Sequence, residues 1–151
     1  MLYRRRVALA SPTDEPDEAM ARTRKSAYFV AIVDDDAGVR AGIEGLLNSV
    51  GVKTRTFASA EAYLRLKDSA AVLCLILDMR LPGMSGLELQ RQLQGEGVST
   101  PVIFVTADAD VEGQLRTQME QAGALAVLSK PCDPEELTRL VLAAIAGQRL
   151  C

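Results

Sequence analysis

The stretch Ala71-Val72-Leu73-Cys74-Leu75-Ile76-Leu77-Asp78 decides the fold. It is an unbroken apolar run of strand length that ends on a carboxylate, and the turn signal Leu81-Pro82-Gly83 follows almost at once. A strand without polar alternation is buried on both faces, as in the middle of a parallel sheet covered by helices. Asp78 is therefore expected at the carboxyl end of a central strand, where open α/β sheets place their ligands.

A βα alternation extends outward from this run. Residues 28–33 form an apolar strand, and Asp36 is placed to cap a helix through Val50 that turns Val39, Ile43, Leu46 and Leu47 to one side and stops at Gly51. Residues 52–57 alternate more, as a strand nearer the sheet edge would, and residues 59–67 read as a short helix. Beyond the central strand, Ser85-Gly86-Leu87-Glu88 is a capping box opening a third helix. Residues 101–106 and 124–129 read as strands, 110–122 as the helix between them, and Asp133-Pro134-Glu135-Glu136 launches a fifth helix. Five strands alternating with five helices make an α/β, doubly wound parallel sheet, although periodicity does not give the strand order.

With 151 residues, 48% hydrophobic and 25% charged, the chain is expected to form one globular domain over residues 28–147. Residues 1–27 lack a hydrophobic period and read as a disordered arm, and residues 148–151 as a tail. The arm holds 6 of the 17 Lys+Arg and 4 of the 20 Asp+Glu, which leaves 11 against 16 beyond it and no basic cluster for nucleic acid. Histidine is absent, which removes Ser/His and Cys/His nucleophile pairs. Cys74, Cys132 and Cys151 show no CxxC spacing, so zinc and disulfide frameworks are not expected. Met1-Leu2-Tyr3-Arg4-Arg5-Arg6 imitates the start of a signal peptide, but the apolar run after it is too short. A cytoplasmic protein with no membrane span is the expectation.

Several strands end in polar chemistry. Ile32-Val33 runs into Asp34-Asp35-Asp36, Leu77 into Asp78, Val105 into Thr106, and the fifth strand into Lys130-Pro131. In a parallel sheet these ends share one edge, so carboxylates, a hydroxyl and an ammonium converge there. Clustered acids need a cation, and all-oxygen ligands point to Mg2+, which commonly brings phosphate oxygens with it. Asp78, the lone acid on the most buried strand, is the candidate nucleophile for an aspartyl phosphate. Asp34 and Asp35 are the candidate metal ligands, Lys130 the partner of phosphoryl charge and Thr106 a donor to a phosphoryl oxygen.

Val33-Asp34-Asp35-Asp36, the run Leu77-Asp78-Met79-Arg80-Leu81-Pro82-Gly83-Met84-Ser85-Gly86, Val105-Thr106-Ala107 and Ser129-Lys130-Pro131 together resemble the receiver domain of bacterial two-component response regulators. The resemblance covers about Tyr28 to Gly147, and Phe57-Ala58-Ser59-Ala60-Glu61-Ala62-Tyr63-Leu64 is similar to the FixJ-type branch. It implies a flavodoxin-like (CheY-like) sheet of order 2-1-3-4-5, Mg2+ held by Asp34, Asp35, Asp78 and the backbone carbonyl of Arg80, and a cis peptide at Lys130-Pro131. It also implies a phosphoryl group taken on Asp78 from a sensor histidine kinase or a histidine phosphotransfer protein, autodephosphorylation, and switched binding of a downstream protein, with a phosphorylation-dependent homodimer left open. If Arg80 and Asp108 pair across the site mouth, autodephosphorylation would be slow.

Two departures from the family stand out. Val127 occupies the place of the usual switch aromatic and Cys132 that of the aromatic after Lys-Pro, which removes the ring that couples Thr106 to the far face. No helix-turn-helix follows, so a stand-alone receiver without direct DNA binding is expected. Two other readings fit part of the pattern: a pseudo-receiver that binds partners without phosphate control, and a haloacid-dehalogenase-type phosphohydrolase. The hydrolase would use Asp34 and Asp36 as its D-x-D pair and leaves Asp78 without a role.

Overall fold

The computed structural model describes residues 28–66, 69–107 and 113–150. In chain order the elements are β1 (Phe29–Val33), α1 (Ala37–Ser49), β2 (Thr54–Phe57), α2 (Ala60–Leu64), β3 (Val72–Leu77), α3 (Gly86–Gly95), β4 (Val102–Thr106), α4 (Gln114–Gln121), β5 (Ala126–Ser129) and α5 (Pro134–Leu150). The strands form one sheet of order β2-β1-β3-β4-β5, and every neighbouring pair is parallel. The flavodoxin-like order expected from the family resemblance is the one found.

Alternation along the strands sorts the apolar residues into two cores. Phe29, Ala31, Val33, Leu75, Leu77 and Phe104 face Tyr63 of α2, Leu89 and Leu93 of α3 and Met119 of α4. Val30, Ile32, Cys74, Ile76, Ile103 and Val105 face Ile43 and Leu47 of α1 and Leu137 and Val141 of α5. Two helices therefore cover one face and three the other. The pairing of β1 with β3 slips between Phe29 and Val30, which are matched to Val72 and Cys74, so Leu73 is an extra residue. Leu73 and Cys74 consequently pack on the same side. Cys74 is fully buried core, and burial pushes its thiol up to about 12.

Element ends follow local chemistry. Asp36 caps α1, its carboxylate accepting from the amides of Gly38 and Val39. Gly51, at φ 84, ends that helix: its amide donates to Asn48 and the next amide, Val52, donates to Leu47. The capping box of Ser85 and Glu88 is present at α3. The helix expected over 59–67 is shorter, with Ser59 as its cap and Leu64 its last residue. The fifth strand starts at Ala126 rather than at 124, because the Ala124 amide is used to close α4 on Met119. The last helix runs to Leu150, past the boundary placed at 147. The arm 1–27 and the first part of the helix expected from 110 lie outside the described residues. No helix among the described residues is long and apolar enough to cross a membrane.

Tyr63 is buried edge-on to Phe57, with ring centroids 5.3 Å apart, and its hydroxyl has no hydrogen-bond partner among the described residues. Burial pushes that hydroxyl up to about 12. A buried unmade hydrogen bond is a cost that the ring alone does not carry. Tyr63→Phe is expected to raise stability by about 1 kcal/mol, read as a higher urea midpoint at unchanged slope.

Candidate functional site

Backbone hydrogen bonds carry the sheet one residue past its strand ends. The Asp34 amide donates to Phe57 at 3.1 Å, the Asp78 amide to Val33 at 3.0 Å and the Lys130 amide to Thr106 at 2.9 Å. Asp34 and Asp78 are thereby fixed side by side on adjacent strands, and Lys130 follows β5. Its Nζ donates to Asp34 Oδ2 at 2.7 Å and to Asp78 Oδ2 at 3.0 Å. Both carboxylates are buried, and ligand oxygens of Asp34, Asp35 and Asp78 lie within 4.8 Å of one another. Thr106 is buried at the end of β4.

The remaining oxygens are also engaged. Asp34 Oδ1 accepts from the Asp36 amide at 2.9 Å, and Asp78 Oδ1 from the Arg80 amide at 3.2 Å. Burial raises the Asp78 pKa; the hydrogen bond from Lys130 opposes it, and the neighbouring charge of Asp34 adds to it. For Lys130, burial lowers the pKa, but the hydrogen bonds it donates to Asp34 and Asp78, with the charges of those two acids, outweigh it and the net shift is upward. The ammonium is thus held charged between two acids. Three hard carboxylates opening from one loop edge, with Asp35 exposed, suit a small divalent cation bound through oxygen and water.

Asp36 stands apart from this cluster: its carboxylate is spent on the start of α1. The Lys130-Pro131 bond is cis. Val127 is buried in the core on the α2, α3 and α4 side, in register with Phe104. Cys132 is half-buried, its thiol raised by burial, and lines an apolar cleft of about 450 Å3 with Val39, Gly42, Ile43 and Leu137. Asp108, the expected partner of Arg80, lies outside the described residues.

The chain matches the family model described as the response regulator receiver domain over residues 30–142. It belongs to the response regulator receiver family. The response regulator protein TodT of Pseudomonas putida is 37% identical over 119 residues, which cover 79% of this chain and 52% of TodT. The chain therefore spans about half the length of that relative. The solved structure of the response regulator StyR superposes with a TM-score of 0.69 at 36% identity, covering 81% of this chain and 62% of that one. The crystal structure of FixJ-N does so with a TM-score of 0.69 at 31% identity, covering 79% and 94%. As a receiver domain, the chain is a component of two-component signalling.

Three residues around the receiver site escape sequence reasoning. Arg40 of α1 donates from its Nη1 to the Asp34 carbonyl at 2.6 Å. Glu61 of α2 accepts from the Met84 amide at 2.8 Å, across 23 residues of sequence. Neither contact has a local periodicity to betray it. Gly86 sits where a Cβ would overlap the Asp78 carbonyl, and its amide donates to Met79 at 2.9 Å. Its signal was readable: a glycine at the first helical position does no capping work, which points to a close approach.

Two predictions follow from this geometry. Gly86→Ala is expected to cost about 1–3 kcal/mol by forcing the Asp78 backbone aside. The control Gly45→Ala, on α1 with nothing within 4 Å, is expected instead to stabilise by about 0.5–1 kcal/mol, both read by chemical denaturation. For Asp78, a pKa raised on folding means that its contribution is most favourable below the unfolded carboxylate pKa and is lost as pH rises through the folded one. Asp78→Asn is therefore expected to raise Tm by a few degrees at neutral pH, with the gain fading as the pH is lowered through the carboxylate range.

Proposed function

We propose that this receiver accepts a phosphoryl group on Asp78 from the phosphohistidine of a sensor kinase or phosphotransfer protein. The observation that carries this reading is Lys130 Nζ shared between Asp34 and Asp78, with Asp35 beside them. In the transfer, a carboxylate oxygen of Asp78 forms the new P–O bond as the P–N bond of the donor breaks, and the departing imidazole takes its proton from solvent. Lys130, already poised over Asp78, pairs with the charge on the phosphoryl oxygens, and the Thr106 hydroxyl donates to one of them. Asp34, Asp35, Asp78 and the Arg80 carbonyl would hold Mg2+. When bound, that ion neutralises charge on the transferring group.

The cap made by Asp36 counts against the phosphohydrolase reading, which needs that carboxylate in the site. The functional unit begins at residue 28 and takes in the whole of the last helix to Leu150, with 1–27 as an arm. It acts in the cytoplasm, where phosphorylation shifts a two-state equilibrium and changes which protein the surface binds. DNA binding has no place in this unit, which carries no basic cluster. Val127 in place of a ring favours a route of response other than an aromatic side chain swinging inward.

The experiment is phosphorylation by a small-molecule phosphodonor with Mg2+, read by intact-protein mass. A single phosphoryl adduct is expected, lost in Asp78→Asn and on chelation of Mg2+. An adduct that survives in Asp78→Asn would refute the assignment, and no adduct on a folded wild-type chain would favour the pseudo-receiver.

A further inference from the structure

We infer that Glu61 is a positioning residue for the Asp78 site, its carboxylate holding the loop between Asp78 and α3 in the form that presents backbone groups to the metal and phosphoryl ligands. The inference rests on the reading of Asp78 and its ligands proposed above. That loop is pinned at its base by local contacts. The Arg80 amide donates to Asp78 Oδ1, the Gly86 amide returns to the Met79 carbonyl, and Ser85 and Glu88 exchange the bonds of the capping box. Its apex, Pro82 and Gly83, is exposed. Just after the apex, Glu61 Oε2 takes the Met84 amide at 2.8 Å.

Two further observations bear on how the apex meets this carboxylate. Gly83 has φ 77, a conformation that glycine alone adopts freely, and a Cβ there would collide with Glu61. The Met84 amide is also the largest cause holding the Glu61 carboxyl below its usual range, so the acceptor is the anion. The base from which Glu61 reaches is firm. Ser59 caps α2 through the Ala62 amide at 3.0 Å, and Ala60 and Tyr63, on either side of Glu61, are buried. An exposed carboxylate on a fixed helix thus clasps an exposed loop tip, an arrangement that adds little to global stability but restricts the loop carrying Arg80.

The test is a Mg2+ titration of wild type, Glu61→Ala and Glu61→Gln, followed by amide NMR without phosphodonor, together with hydrogen exchange at Met84 and Tm. Glu61→Ala is expected to speed exchange at Met84, leave Tm nearly unchanged and weaken Mg2+ binding severalfold, short of the roughly tenfold that loss of a ligand's own hydrogen-bond partner costs. Glu61→Gln, whose amide oxygen can still accept from Met84, should keep most of the affinity. Equal Mg2+ affinity in wild type and Glu61→Ala overturns the inference, whatever the exchange rates do, and leaves the metal site standing. A folded wild type that binds no Mg2+ removes the metal site and the inference together.

Discussion

Two carboxylates taken out of water side by side are the constraint on which the rest of this receiver depends. Desolvating an ion costs several kcal/mol even after relaxation, and Asp34 and Asp78 also repel each other. Lys130 answers both from the end of β5, reaching across β4 to Asp78 and across β4 and β3 to Asp34. A compact ammonium on a long flexible stem suits that reach, where a planar guanidinium would demand a fixed bidentate geometry. The remaining cost falls on the sheet below. Leu75, Ile76, Leu77, Ile103 and Phe104 are almost wholly buried, and each contributes about 1.5–3 kcal/mol, so the core can carry a strained polar edge.

Much of this was legible because topology turns strand ends into neighbours. Once residues 72–77 are read as a doubly covered parallel strand, every other parallel strand must deliver its last residue to the same edge, and Asp34, Thr106 and Lys130 follow without any pairwise signal. Helix caps were legible for a different reason: Asp36 and Ser85 act within three residues of their own position. What the sequence hid are contacts that obey neither rule. Arg40 reaches back to the Asp34 carbonyl and Glu61 crosses 23 residues to Met84, and both depend on where a helix is mounted rather than on what it contains. The extra residue Leu73 was hidden because an all-apolar run looks the same with or without a slipped register.

Val127 sits where these two kinds of information meet. Its identity was plain in the sequence, and its burial in register with Phe104 shows what that identity means for packing. A β-branched side chain is restricted at χ1 and too short to swing between distant resting places, and a close-packed interior passes displacement on instead of absorbing it. A ring with two resting places could store a two-state choice at this position; a packed valine offers one place. Any response to events at Thr106 therefore has to move a whole element, or travel along another segment that touches the site. The loop from Met79 to Ser85 is such a segment, since it starts at Asp78 and ends on the cap of α3.

The chemistry proposed for Asp78 requires a carboxylate that is reactive and yet ionised. Burial and the neighbouring Asp34 charge make its anion less comfortable and hence more basic, which favours attack on phosphorus; unopposed, the same influences would leave the group protonated and inert. Lys130 resolves the conflict only because it is itself held charged: its own burial pulls its pKa down, and the two acids more than restore it. Asp78 and Lys130 are therefore tuned together beside the Asp34 charge, and a substitution at any of the three positions should be felt at the others. Once a phosphoryl group occupies Asp78, the ammonium gains a more strongly charged partner than the carboxylate it had. On that proposal, the pull on Lys130, and through it on the end of β5, would be where the chemistry of the site first becomes a mechanical event in the sheet.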